Sequence, residues 1–288
     1  PDSLKSQRRK HMNISAKTKI CMVIGDPIEH SLSPQMHNAA YEKLGINNEY
    51  VYVACNVKIR DISDFIKGVR AMQIRGVSCT IPHKIAVVKY LDEVDDVAKK
   101  IGAVNTIVND NGVLKGYNTD WLGVVIPLEK MTSLKNKAIA LLGAGGAARA
   151  VAYGVEERGA RLVIYNRTID KARQLAKEFG GEARSLDAIE NVKNADIIFN
   201  ATSIGLHPSE NETPLDKNLI TNQHIVFDAI YVPYKTRLLK EAKQQGARII
   251  HGMEMLLQQG IAQFKLYTNL DAPEETMRNV LLQHLHRK

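Results

Sequence analysis

Residues 141–150 read LLGAGGAARA, a glycine-rich turn between an apolar strand-like run and a helix-like one. Gly143, Gly145 and Ala148 satisfy G-x-G-x-x-[GA] in the strand–turn–helix setting that the motif requires. Glycine permits the tight turn and lets backbone approach a pyrophosphate, while the helix N-terminus offers amide donors and a favourable dipole. No other feature constrains the fold as strongly, because such a turn belongs to a parallel sheet with packed helices. A methyltransferase loop or a purely structural turn is the competing reading.

The flanking sequence favours dinucleotide binding. AIALLG (138–143), ARLVIYN (160–166), ADIIFNAT (195–202), HIVFDAIY (224–231) and ARIIHG (247–252) are near-continuous apolar runs. Such runs mark strands buried on both faces of a parallel sheet. AARAVAYGVEERG, TIDKARQLAKEFG and TRLLKEAKQQG separate them as helices, each stopped by glycine. This is a doubly wound, Rossmann-like α/β region, and from Met253 onward the chain reads as mostly helical. At the end of the second run an NAD site usually carries an acidic residue, but IYNRT supplies Asn166, Arg167 and Thr168, with Lys171 one turn on. A guanidinium at Arg167 suits a 2′-phosphate, so NADP is the expected cofactor. A solvated helix start is the alternative for Arg167 and Lys171.

The region before residue 122 alternates differently. KICMVIG (19–25), EYVYVACN (49–56) and GVSCTI (76–81) read as strands, and SPQMHNAAYEKLG and DISDFIKGVRAM as amphipathic helices. Ser33-Pro34 is read as a cap followed by Pro at the first helical position. NTIVNDNGVLKGYNTD (105–120) is read as a hairpin around Asn111-Gly112.

Bulk properties limit the function classes. The chain has 288 residues, 44% hydrophobic, with net charge +8. Lys5, Arg8, Arg9 and Lys10 against Asp2 account for +3 of that charge, leaving +5 for the body. Without basic clusters, such a surplus suits small anionic ligands better than nucleic acid. Residues 1–14 are read as a tail, either an expression-tag remnant or a linker from a preceding domain. No apolar run is long enough to span a bilayer and no signal peptide is read, so no membrane association is expected. Cys21, Cys55 and Cys79 are expected to be reduced thiols in a cytoplasmic protein. No His, Cys and acid cluster has metal-ligand spacing, so no metal is expected.

Two polar clusters in the first region carry chemistry. GDPIEHSLSPQMHN (25–38) places Ser31 and Ser33 two apart, suited to a carboxylate or polyol, whereas His30 and His37 are read as structural. In SCTIPHK (78–84), Pro82 blocks simple continuation of the strand, so Thr80 and Lys84 emerge at a strand end, where α/β sites are built. Asn105, Asn118, Thr119 and Asp120 gather near the two ends of the hairpin. An ammonium beside a carboxylate there would hold and exchange a proton next to a reacting hydroxyl. Spacing alone does not bring Lys84 to Asp120.

Taken in order, HSLSPQMHN, TIPHK, GAVNTI, GYNTDWLG, GAGGAARA, NRT, NATSIG and GMEMLLQQ resemble the shikimate dehydrogenase family over residues 18–285. The resemblance implies NADPH-dependent reduction of 3-dehydroshikimate to shikimate, in the pathway to chorismate and the aromatic amino acids. It implies Lys84 and Asp120 as the catalytic pair. Ser31 and Ser33 would hold the substrate carboxylate, and Thr80, Asn105, Tyr231 and Gln259 its other polar groups. Gly143, Ala144, Gly145, Gly146, Ala147, Asn166, Arg167, Thr168, Lys171, Thr202 and Gly252 would hold the cofactor. It also implies a split substrate domain, 15–121 plus 254–288, around an NADP-binding domain at 122–253. The sequence departs from the family at Ser78, usually Asn, and at Glu254, often Gly. An NAD-preferring quinate/shikimate dehydrogenase, a non-catalytic ligand-sensing relative and one half of a multifunctional enzyme are the rivals. A homodimer stays open.

Overall fold

The computed structural model describes residues 14–286, so most of the expected tail lies outside the described residues. Two sheets order the chain. The first is built from β1 (Lys19–Gly25), β2 (Tyr50–Asn56), β3 (Gly76–Cys79), β4 (Glu93–Val94), β5 (Thr106–Asp110) and β6 (Val113–Tyr117), in the order β2-β1-β3-β5-β6-β4. Strands β1, β2 and β3 are parallel, whereas β5 runs antiparallel to β3 and β6. Helices α1 (Ser33–Leu44), α2 (Ile62–Ala71), α3 (His83–Ala86) and α4 (Asp96–Ile101) connect them.

The hairpin follows from its turn chemistry. Asn111 and Gly112 sit at φ 54° and 92°, the left-handed pair that a two-residue β-turn needs. Side-chain alternation along β1 then splits the core: Cys21 and Val23 face one apolar cluster, Met22 and Ile24 the other.

After α5 (Asp120–Glu129) the second sheet begins. It contains β7 (Ala138–Leu142), β8 (Arg161–Tyr165), β9 (Glu182–Arg184), β10 (Ile197–Asn200), β11 (Ile225–Asp228) and β12 (Arg248–Ile250), interleaved with α6 (Gly146–Glu156), α7 (Ile169–Phe179) and α8 (Arg237–Gln244). All its pairings are parallel, in the order β12-β11-β10-β7-β8-β9. The order reverses between β7 and β10, the switch point of a Rossmann fold. Ile139 and Leu141 of β7 face one cluster and Ala140 and Leu142 the other, which explains the unbroken apolar run. The glycines expected to stop helices do so: Gly159, Gly180 and Gly246 lie at φ 70°, 73° and 79°.

Two further helices, α9 (Gly252–Thr268) and α10 (Glu274–Leu285), return to the first sheet. Leu257, Phe264, Tyr267, Met277 and Leu281 are buried in the same cluster as Cys21 and Val23. The close fit is tightest at Gly76, where a Cβ would strike the Tyr267 ring, whereas one on Gly260 would displace only the terminal methyl of Met36. Where α5 crosses α9, a Cβ on Gly123 would lie 2.6 Å from the Met255 carbonyl oxygen. The molecule is thus a two-domain α/β protein, joined by α5 going out and α9 coming back.

The sequence reading differs from this architecture in detail. Strands β4 and β9 are not foreseen, being two and three residues long with mainly exposed or half-buried side chains. Ser33 is not the cap of α1: it is the first residue of the helix, Leu32 precedes it, and no side chain caps that end.

Candidate active site

Topology gathers the first region's polar residues at one end of its sheet. β1 and β3 leave that end at their C-termini, β5 enters it, and β6 leaves it again. Ser31, Thr80, Lys84, Asn105 and Asp120 all lie just beyond those strand ends. Close approach helps here: a Cβ on Gly25 would sit 2.6 Å from the Thr80 methyl carbon. Ser33 is buried and Ser31 half-buried, and the Ser33 N–H donates to Ser31 Oγ at 3.3 Å.

Pro82 and the short α3 turn the chain back after β3, and the Lys84 carbonyl accepts the Val104 N–H at 2.8 Å. Lys84 Nζ then donates to Asp120 Oδ2 at 2.5 Å. The side chains are 15% and 6% exposed, so the pair is largely withdrawn from water. Asp120 opens α5, where the helix dipole favours a negative charge. Its other oxygen accepts from Asn105 Nδ2 at 2.9 Å, and its N–H donates to Asn118 Oδ1 at 3.0 Å. An ammonium held by an oriented carboxylate at a strand end can hand a proton to an oxygen placed beside it. His37, by contrast, is a core residue stacked 4.3 Å from the Tyr52 ring, its pKa lowered to about 3 by burial. His30 is exposed.

The C-terminal ends of β7, β8, β10 and β11 form the second half of the site. Gly143 turns the chain at φ 104°, and a Cβ there would lie 3.1 Å from Ala201. Gly145 and Gly146 differ: a Cβ on either meets no protein atom within 4 Å. Packing therefore does not demand glycine at these two positions, whereas a ligand lying on the N-terminus of α6 would. Ala144 and Ala147 flank them half-buried. Beyond β8, Asn166 Nδ2 donates to the Thr168 carbonyl at 2.8 Å. Arg167, Thr168 and Lys171 are exposed, and neither base makes an ion pair among the described residues. This donor set, helix-terminal amides followed by a guanidinium and an ammonium, fits a dinucleotide carrying an extra phosphate.

A buried carboxylate braces the far side. Asp228 accepts from Asn200 Nδ2 at 3.0 Å, the Ile230 N–H at 3.1 Å and Thr236 Oγ1 at 2.7 Å. Burial pushes its carboxyl up to about 6. Asn200 Oδ1 in turn accepts from the Thr202 N–H and hydroxyl. Asp228 thereby fixes both the Thr202 loop and the start of the Tyr231 segment. Tyr231 packs against the first sheet's core, and burial pushes its phenol up to about 12.

Helix α9 ties the two halves. Gly252 sits where only glycine fits, since a Cβ would strike the Ile230 carbonyl. Seven residues later the Gln259 carbonyl accepts from Thr119 Oγ1 at 3.1 Å, beside Asp120. At 1.5 Å per residue that interval is about 10 Å, so α9 sets the segment after β11 about that far from the start of α5. Gln259 Nε2 bonds back to the Leu256 carbonyl at 2.7 Å. Glu254 turns away to a bidentate pair with Arg278.

Some buried polar groups escape the sequence reading: Asn200 bonds to Thr202, Gln263 to the Asn105 carbonyl, and Asp228 to Asn200. The available signal for Gln263 is its spacing four residues after Gln259, on one face of the helix.

A parallel sheet with a glycine-rich strand–turn–helix, beside a mixed sheet that buries a lysine–carboxylate pair, is the architecture of a two-domain α/β oxidoreductase. Comparison narrows the class. Residues 23–107 match the shikimate dehydrogenase substrate binding domain, 126–235 the shikimate / quinate 5-dehydrogenase model, and 252–282 the shikimate 5'-dehydrogenase C-terminal domain. A shikimate dehydrogenase (NADP(+)) of Methanocaldococcus jannaschii is 43% identical over 282 residues, 94% of this chain and 99% of its own. A crystal structure of shikimate dehydrogenase in complex with NADP+ matches with TM-score 0.89 and 43% identity, covering 95% of this chain and 98% of that one. A quinate dehydrogenase from Corynebacterium glutamicum in complex with NAD matches with TM-score 0.84 and 31% identity, over 92% and 99%. The chain belongs to the shikimate dehydrogenase family.

Proposed function

We propose that this chain catalyses the reversible NADPH-dependent reduction of 3-dehydroshikimate to shikimate, a step of chorismate biosynthesis. The observation that carries the reading is the buried Lys84–Asp120 pair at 2.5 Å, in a chain that also carries a glycine turn whose openness serves no packing purpose. Bound NADPH supplies the hydride. Lys84 donates the proton to the developing oxyanion and stabilises it, and Asp120 holds the ammonium and orients the reacting hydroxyl.

In this reading Ser31 and Ser33 take the substrate carboxylate, while Thr80, Asn105, Tyr231 and Gln259 take its remaining polar groups. Gly143 to Ala147, Thr202 and Gly252 hold the pyrophosphate and nicotinamide side of the cofactor. Asn166, Arg167, Thr168 and Lys171 hold the adenosine 2′-phosphate. The exposed, unpaired Arg167 and Lys171 favour NADP over NAD, as does the family resemblance to NADP-dependent enzymes. The proposed substrate domain is 15–121 plus 254–288, and the cofactor domain 122–253. Leu257 packs with the first sheet and Val124 with the second, as this division has it, while Met253 and Met255 at the boundary pack across it.

Among the described residues no helix is long and apolar enough to cross a membrane. The proposal extends to a cytoplasmic enzyme, supported by three free thiols, and light scattering on purified protein separates a monomer from a homodimer. The test of function is formation of reduced nicotinamide from shikimate plus NADP. Activity confined to quinate plus NAD, or no turnover at all, overturns the reading.

A further inference from the structure

Behind the lysine–carboxylate pair lies a second layer of polar side chains, all buried: Ser78, Thr106 and Gln263, with the hydroxyls of Tyr52 and Tyr267. Their protons can be assigned one by one. Gln263 Nε2 lies 3.3 Å from the Asn105 carbonyl, which only accepts, so this amide can point only one way. Its Oε1 then faces Ser78 Oγ at 2.9 Å and must receive the single serine proton. Tyr52 at 2.6 Å and Tyr267 at 2.9 Å are left to donate to Ser78.

On the other side, Gln263 Nε2 donates to Thr106 Oγ1 at 3.0 Å, and Thr106 donates onward to Asn105 Oδ1 at 2.7 Å. The Thr119 N–H, which only donates, reaches the same Oδ1 at 2.8 Å. Asn105 Nδ2 is therefore turned to Asp120 Oδ1. Every hydrogen bond in the series points the same way, from the two tyrosines to the carboxylate. At 4%, 0% and 2% exposure, Ser78, Thr106 and Gln263 leave no room for solvent to replace a lost link.

We propose that Ser78, Gln263 and Thr106 are positioning residues, a one-way hydrogen-bond relay that sets the Asn105 carboxamide and thereby holds Asp120 against Lys84. The proposal rests on the reaction given above, and its test reads one quantity that does not depend on turnover. Thr106→Val keeps the shape and removes the relaying hydroxyl, whereas Thr106→Ser restores it. Misplacement of a catalytic group is costly, so Thr106→Val is expected to lower kcat about 10- to 100-fold with KM for NADP unchanged. Thr106→Ser is expected to recover to within about threefold of wild type, and Ser78→Ala, two links further back, to lose about three- to tenfold.

Hydrogen exchange at the Thr119 amide supplies the independent readout: about tenfold faster in Thr106→Val, and near wild type in Thr106→Ser. Wild-type kcat in the valine variant, equal losses in the valine and serine variants, or unchanged Thr119 exchange each overturn the relay. If the valine variant does not fold, Ser78→Ala with its own Thr119 exchange decides the matter, unchanged exchange and kcat again counting against it. A wild-type protein inactive on shikimate overturns the reaction instead, and the exchange data still judge the relay.

Discussion

At the working end of the mixed sheet the polar groups are already bonded to one another and buried, whereas at the parallel sheet the groups proposed to meet the phosphates are exposed. Lys84, Asp120, Asn105 and Thr119 form a closed set of hydrogen bonds, while Gly145, Arg167, Thr168 and Lys171 are exposed. In the proposed function the difference follows from what each half must do. Proton transfer rewards a geometry fixed before substrate arrives, because reorganisation then adds nothing to the barrier. A highly charged cofactor is better met by solvated cations, which cost no burial of unpaired charge while the site stands open. Only the brace behind the cofactor loop, Asp228 with Asn200, is built like the mixed sheet's end.

Substitutions can break this contrast, and they fall in order of expected effect. Lys84→Ala is expected to lower kcat by about 10²- to 10⁴-fold while leaving the NADP dissociation constant, measured by titration calorimetry, unchanged. Equal loss of both would mean that the two ends are not separable. Arg167→Ala should do the reverse, weakening NADP about 10- to 100-fold with kcat at saturation retained and NAD affinity hardly altered. Gly145→Ala sharpens the point. Its added carbon meets no protein atom, so thermal unfolding stays at the wild-type midpoint while NADP binds about tenfold more weakly.

A last prediction, on stability rather than activity, concerns Asp228. Its carboxyl ionises near 3.8 in an unfolded chain and is raised to about 6 by burial. Between those values the native state binds more protons than the unfolded one, so this contribution favours folding at low pH and disappears as pH rises through 6. Asp228→Asn lacks that slope. Denaturant titrations at pH 4.5 and 7 should therefore show wild type gaining on the variant by on the order of 1–3 kcal/mol at the lower pH.

The parallel sheet was the more legible half. Strands buried on both faces leave unbroken apolar runs, and Gly143 marks the turn because its positive φ excludes most other residues. Strand β9 left no such trace, since Glu182 is exposed and Ala183 and Arg184 are only half-buried at the sheet edge. In the mixed sheet, residue types pointed to Lys84 and Asp120 separately, but their meeting spans 36 positions and depends on β5 running against β3. Ser33 misled because serine before proline suits both a cap and a first helical turn, and the backbone starts the helix one residue earlier than a cap would. The Ser78–Gln263 contact joins residues 185 apart. Nothing local signals it beyond a glutamine where an apolar side chain is due.

The returning helix α9 has a consequence for which length changes this chain can tolerate. It works as a gauge bar whose marks, Gly252 against Ile230 and Gln259 beside Thr119, are cut seven residues apart. One inserted residue would swing everything past it by about 100° and swap the glutamines for the apolar flank. An insertion within this interval would therefore separate Gly252 from its seat on Ile230 or Gln259 from Thr119.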